Sequence, residues 1–127
     1  MRTVTFELDQ ITKNYFMAWT VSTQTSVPAT VELRAGNKTY FKANHETKDH
    51  KFRLLEQNTS TFQGEGNLLL IVTCATGWEV KHSLVSGAVT DAKAKKIGYV
   101  YSFCFEDGGD DDYNDVYVNL VAWRKEG

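Results

Sequence analysis

The chain predicts an all-β fold, an antiparallel β-sandwich of about nine short strands. Three observations lead there. The dominant hydrophobic period is two, turn-forming residues recur about every eight to twelve residues, and only Thr90 to Lys96 has helical composition, a stretch too short for a stable helix.

The elements follow in order. Val4, Phe6 and Leu8 alternate with Thr3, Thr5 and Glu7, a half-buried strand pattern. Pro28, the single proline, lies between two strand candidates in QTSVPATV, where it marks a bend or the first residue of a strand. Val31 and Leu33 then alternate with Thr30, Glu32 and Arg34. Residues Asn67 to Ala75 (NLLLIVTCA) are apolar on both parities, as in a central strand covered on both faces. Trp78, Val80 and Leu84 share a parity with His82 between them, which makes His82 a partly buried, satisfied side chain. From Ile97 to Phe105 the odd positions are bulky and the even ones mostly small. From Val116 onward the apolar row is Val116, Val118, Leu120 and Ala122. Punctuation is supplied by Ala35-Gly36-Asn37, Gln57-Asn58, Gly64-Glu65-Gly66, Ala75-Thr76-Gly77, Ser86-Gly87 and Gly108-Gly109. No repeat or linker divides the chain, so residues 1–127 form one domain.

Hydrophobic content of 42% is enough for a core without a disulfide or structural metal. Cys74 and Cys104 lie in strand-like runs and read as buried free thiols packing as small hydrophobes, a cross-strand disulfide being the alternative. No basic cluster suggests nucleic acid. The start, MRTVTFELDQ, lacks the apolar stretch of a secretory signal, and no run is long enough to insert in a membrane. The expected location is the cytoplasm, or the cell surface or exterior by export without a cleaved signal.

The net charge of −2 conceals an asymmetry. Six carboxylates, Glu106, Asp107, Asp110, Asp111, Asp112 and Asp115, fall between residues 106 and 115, so the remainder of the chain carries +4. Crowding like charges on a tight turn between two strands is costly unless water or a cation relieves the repulsion. Ca²⁺ asks for this chemistry, taking roughly six to eight hard oxygen ligands. An EF-hand does not fit: started at Asp110, it would place Asp115 where glycine is needed and Val121 where a bidentate glutamate is needed. A glycosidase pair needs two carboxyls in contrasting environments, which six clustered acids do not offer. A two-metal hydrolase usually adds histidines, but His45, His50 and His82 are remote in sequence, and His45 and His50 read as surface loop residues of HETKDH. No nucleophile–base pattern or phosphate loop is present, so the chain is not read as an enzyme. Six carboxylates exceed what one Ca²⁺ neutralises, and two adjacent ions with incompletely filled shells could take vicinal sugar hydroxyls as ligands, with nearby carboxylates accepting the O–H protons. The alternatives are a structural or adhesin-type domain that calcium only stabilises, and a carbohydrate-active enzyme or its accessory module.

The stretch EDGGDDDYND from Glu106 to Asp115, followed by a hydrophobic strand ending near Trp123, resembles the bacterial calcium-dependent fucose/mannose-binding lectins. The resemblance implies that Glu106, Asp110, Asp112, Asn114 and Asp115 ligate one or two calcium ions, Asp112 and Asp115 being shared. Asp107, Asp110 and Asp112 would accept sugar hydroxyls, while Asp111 and Tyr113 would point away. An earlier loop would supply the backbone carbonyl of Gln24 to calcium and a specificity segment at Thr25, Ser26 and Val27. The terminal carboxylate of Gly127 from a partner subunit would complete the metal shell, although the chain runs slightly longer after the acidic turn than the family pattern. The implied partners are mannose- and fucose-containing glycans and further copies of the chain, as a homodimer or homotetramer.

Overall fold

The computed structural model describes residues 1–46, 49–108 and 115–125. Its nine strands are β1 (Arg2–Glu7), β2 (Phe16–Thr23), β3 (Ala29–Ala35), β4 (Lys38–His45), β5 (Arg53–Thr61), β6 (Leu68–Cys74), β7 (Lys81–Thr90), β8 (Lys96–Glu106) and β9 (Val116–Trp123). All pairings are antiparallel, in a four-stranded sheet ordered β1-β6-β3-β4 and a five-stranded sheet ordered β5-β2-β9-β8-β7.

The period-two rows become the inner faces of the two sheets. Met17, Trp19 and Val21 of β2, Phe103 and Phe105 of β8, and Val116, Val118 and Leu120 of β9 are buried against Val31 and Leu33 of β3 and Leu70 and Val72 of β6. Each fully buried side chain of this size contributes about 1.5–3 kcal/mol. Trp19 is accommodated because its indole N–H donates to Glu56 Oε2 at 3.1 Å and its ring packs on Phe41 at 5.2 Å between centroids. Along β8, Tyr101, Phe103 and Phe105 stack in nearly parallel planes, 7° and 8° apart, forming a stiff column that leads to the acidic turn. Cys74 is buried and Cys104 half-buried, and both are free.

Several local expectations give way to the tertiary arrangement. Strand β6 is central, but only its Leu68-Leu70-Val72-Cys74 row is buried; Leu69, Ile71 and Thr73 on the other face are half-exposed. Gln57-Asn58 and Ser86-Gly87 lie inside β5 and β7 and make no turn. Residues 91–95, read from the sequence as too short for a stable helix, indeed form none and close the β7–β8 hairpin: Asp91 Oδ1 accepts the N–H groups of Lys93 and Lys95 at 2.8 and 3.0 Å, and Ala94 adopts φ +62°. Trp78 precedes β7 and is exposed, as are His82 and Leu84. Their parity does face inward, opposite Phe105 and Phe103, but β7 is the fifth strand of a sheet covered by only four. His82 is therefore covered on one side alone, edge-on against Phe6 at 4.7 Å.

Candidate functional site

The acidic turn is held at both ends by the β8–β9 ladder. Phe105 pairs with Val116, and the Asp115 N–H donates to the Phe105 carbonyl at 3.1 Å. Glu106 and Asp107 thus leave β8 in a fixed direction, and Asp115 enters β9 beside them. One carboxylate oxygen from each of Glu106, Asp107 and Asp115 can be chosen so that all lie within 4.8 Å of one another. Oxygens bound to a common Ca²⁺ at about 2.3–2.6 Å stand no farther apart than about 5 Å, so this spacing fits the ion. The donor set is also all hard oxygen, as calcium requires. Glu106 is 1% and Asp107 5% exposed, and Asp115 is half-buried.

The electrostatics show the cost of this arrangement without a cation. Burial pushes the Asp107 carboxyl up to about 6, the hydrogen bond from Thr25 opposes the shift, and the neighbouring Asp115 carboxyl adds to it. The thiol of Cys74, at the end of β6, is pushed up to about 12 by burial and by the charges of Asp107 and Asp115. A positive ion among these groups would oppose both shifts.

A second segment closes on the turn from far away in sequence. Strands β2 and β9 pair up to Thr23 and Val116, and the Gln24 N–H donates to the Asp115 carbonyl at 2.9 Å. The next residue, Thr25, is 1% exposed and donates its hydroxyl to Asp107 Oδ2 at 2.6 Å, while accepting the Val27 N–H at 3.0 Å. Ser26 and Val27 follow as half-buried residues before Pro28, which directly precedes β3. Asp107 is further held by its own N–H donating to Asp115 Oδ2 at 3.0 Å, and by its carbonyl accepting the Thr76 hydroxyl at 2.8 Å. The Gly108 N–H donates to Glu106 Oε2 at 3.3 Å, folding the turn back over its own carboxylate.

Of the sequence-predicted residues, Glu106, Asp107, Asp115, Gln24 and Thr25 come together here, and Ser26 and Val27 continue the same segment. Asp110, Asp112, Asn114 and Gly127, together with Asp111 and Tyr113, lie outside the described residues. Three residues not singled out from the sequence also belong to the assembly: Thr23, His45 and Thr76. His45 is not a surface loop residue. It is the last residue of β4, shares the inward parity of Phe41 and Ala43, and is 2% exposed. That continuing row was the available signal, masked by the polar run HETKDH. His50 is exposed, in accord with the sequence reading.

The Asp107 shift has a directional consequence. The folded, metal-free protein holds this proton up to about pH 6, against an ordinary carboxyl value of 3.8, so Asp107 lowers stability as pH rises through that window. A cation taken up by this carboxylate would have to displace the same proton, so any stabilising effect of calcium would grow as pH rises. Melting curves at pH 4.5 and 7.5 are expected to show a larger calcium-induced rise in Tm at pH 7.5; an equal rise at both would contradict this coupling.

Similar folds occur among solved bacterial lectins. The C-terminal domain of the BC2L-C lectin from Burkholderia cenocepacia is 23% identical, with 92% of each chain covered and a TM-score of 0.65. The high-affinity mannose-binding lectin of Ralstonia solanacearum is 22% identical, covering 92% of this chain and 93% of its own, with a TM-score of 0.62. The Chromobacterium violaceum lectin CV2L, solved with alpha-methyl-fucoside, is 23% identical with the same coverage and a TM-score of 0.59. These identities establish a common architecture. No curated protein matches the chain significantly. Residues 6–124 match the fucose-binding lectin II (PA-IIL) family, a family of non-enzymatic carbohydrate-binding proteins, and the chain belongs to it.

Proposed function

We propose that this lectin binds mannose- and fucose-type monosaccharides through calcium held in the acidic turn. The observation that carries the reading is the convergence of buried Glu106 and Asp107 with half-buried Asp115, locked to Thr25 beyond the end of the neighbouring strand pair β2–β9. Glu106 and Asp115, with Asp110, Asp112 and Asn114 between them, hold one or two Ca²⁺ ions, and the Gln24 carbonyl and the Gly127 carboxylate of a second copy add to the shell. Bound calcium offers its remaining coordination positions to vicinal sugar hydroxyls. Asp107, Asp110 and Asp112 accept the hydroxyl protons in charge-assisted hydrogen bonds, and Thr25, Ser26 and Val27 shape the rim that selects the sugar. Asp107 is suited to this role because its carboxylate is fixed by Thr25 before any ligand arrives. One shallow site binds weakly, so assembly as a homodimer or homotetramer supplies avidity toward clustered glycans.

A glycan array probed in calcium and again in excess chelator tests the reading. Binding to mannosylated and fucosylated glycans in calcium alone supports it. A calcium-stabilised structural domain predicts a chelator-sensitive Tm with a blank array, and binding that survives the chelator contradicts any calcium-bridged mode.

A further inference from the structure

The ring of His45 lies behind the 24–27 segment, fully engaged and out of reach of solvent. Its Nε2 stands 2.6 Å from the Thr25 carbonyl, and its Nδ1 stands 3.0 Å from the Thr23 hydroxyl. A carbonyl oxygen only accepts, so Nε2 carries the hydrogen and donates; in the neutral ring, Nδ1 then accepts the Thr23 O–H. Thr23 is 0% and Thr25 1% exposed, which leaves no water to replace either bond. The ring therefore ties the end of β4 to the last residue of β2 and to the first turn of the segment beyond it.

The consequence runs onward through Thr25. With its carbonyl held by His45, Thr25 directs its hydroxyl at Asp107 Oδ2, and the Val27 N–H occupies that oxygen from the other side. Asp107 thereby inherits its orientation from a ring that does not touch it. We propose that His45 is a positioning residue of the sugar site, setting sugar affinity through the Thr25 carbonyl and Asp107 and affecting calcium affinity less, because the Thr25 hydroxyl it orients bonds the Asp107 carboxylate itself, whereas Asp115 takes the Gln24 N–H on its backbone carbonyl. A side chain that merely filled the end of the sandwich would need no polar atoms, and burying two ring nitrogens there is costly unless both are used. This assignment rests on the sugar-binding reading above.

The test compares three variants of the full chain, H45Q, H45N and H45L, by calorimetric titration with calcium and then, in saturating calcium, with methyl α-mannoside and methyl α-fucoside. Glutamine can extend an N–H to the Thr25 carbonyl in place of Nε2; asparagine is too short to do so. The expected result is that H45Q keeps sugar affinity within about threefold of the native protein while H45N and H45L lose about tenfold or more, with calcium affinity falling by a smaller factor than sugar affinity in both. Equal sugar affinities in folded H45Q and H45N overturn the proposal, as does a parallel loss of calcium and sugar binding in every variant. If H45L does not fold, the contrast between the two polar variants still decides. Absence of sugar binding by the native protein in calcium overturns the underlying reading and this assignment together, whereas failure of the contrast alone removes only the role given to His45.

Discussion

Stripping calcium from this lectin is expected to abolish its binding to mannose and fucose while the sandwich stays folded. The two halves of that expectation have separate physical origins. The core runs the length of both sheets, from Met17, Trp19 and Val21 to Leu70 and Val72, and among the described residues includes none of the acidic turn. An ion bound at the turn would bear on the arrangement there alone, where Glu106, Asp107 and Asp115 crowd within 4.8 Å. Replacing Asp115 by alanine should reproduce the loss in the presence of calcium. It removes a proposed carboxylate ligand and also the acceptor that fixes the Asp107 N–H at 3.0 Å. Outer-shell partners of metal sites already cost about 10–100-fold, so a direct ligand should cost on the order of 100-fold or more in calcium affinity. Circular dichroism confirms the fold, and calorimetry reads both affinities. An Asp115→Ala protein with native calcium affinity would remove this carboxylate from the proposed site.

The largest expected loss of stability lies at Gly98. A Cβ there would run into the Ala122 carbonyl oxygen and meet the Trp123 ring at 3.1 Å. Neither neighbour can retreat easily, because Gly98 pairs with Trp123 and Tyr99 with Ala122 in the β8–β9 ladder. Gly98→Ala is expected to cost about 3 kcal/mol, at the upper end of overpacking effects, and to lower Tm by roughly 10 °C. Gly87→Ala is the matched control. It also lies in a strand of the same sheet, yet its Cβ would have no atom within 4 Å, so its effect should stay within about 0.5 kcal/mol. Equal melting temperatures for the two variants would contradict the close approach at Gly98.

The parts of this molecule that could be read from the chain are those governed by local pattern. The alternation around Phe103 and Val118 fixes which face is buried whatever the neighbouring strands are, and the charge at residues 106–115 needs no tertiary knowledge to be noticed. Family resemblance added Gln24 and Thr25, which local pattern does not reach. Their contact with Asp115 and Asp107 depends on β2 lying beside β9, a pairing between residues some ninety positions apart. The inward face of β7 departs from the sequence reading for a related reason: parity tells which way His82 and Leu84 point, but not that the opposing sheet ends at β1, which covers His82 on one side only, through Phe6. His45 shows the opposite error. Its polar neighbours suggested a loop, while its own parity carried it into a buried site where Thr23 and the Thr25 carbonyl satisfy both nitrogens.

The most direct measurement is a crystal structure of the protein grown with calcium and methyl α-mannoside, with anomalous scattering used to locate the metal. Calcium is expected bound by Glu106 and Asp115, with two neighbouring hydroxyls of the sugar completing its coordination and a third hydrogen-bonded to Asp107. Sugar bound elsewhere on the sandwich, or bound at the turn with no calcium beneath it, would contradict the account.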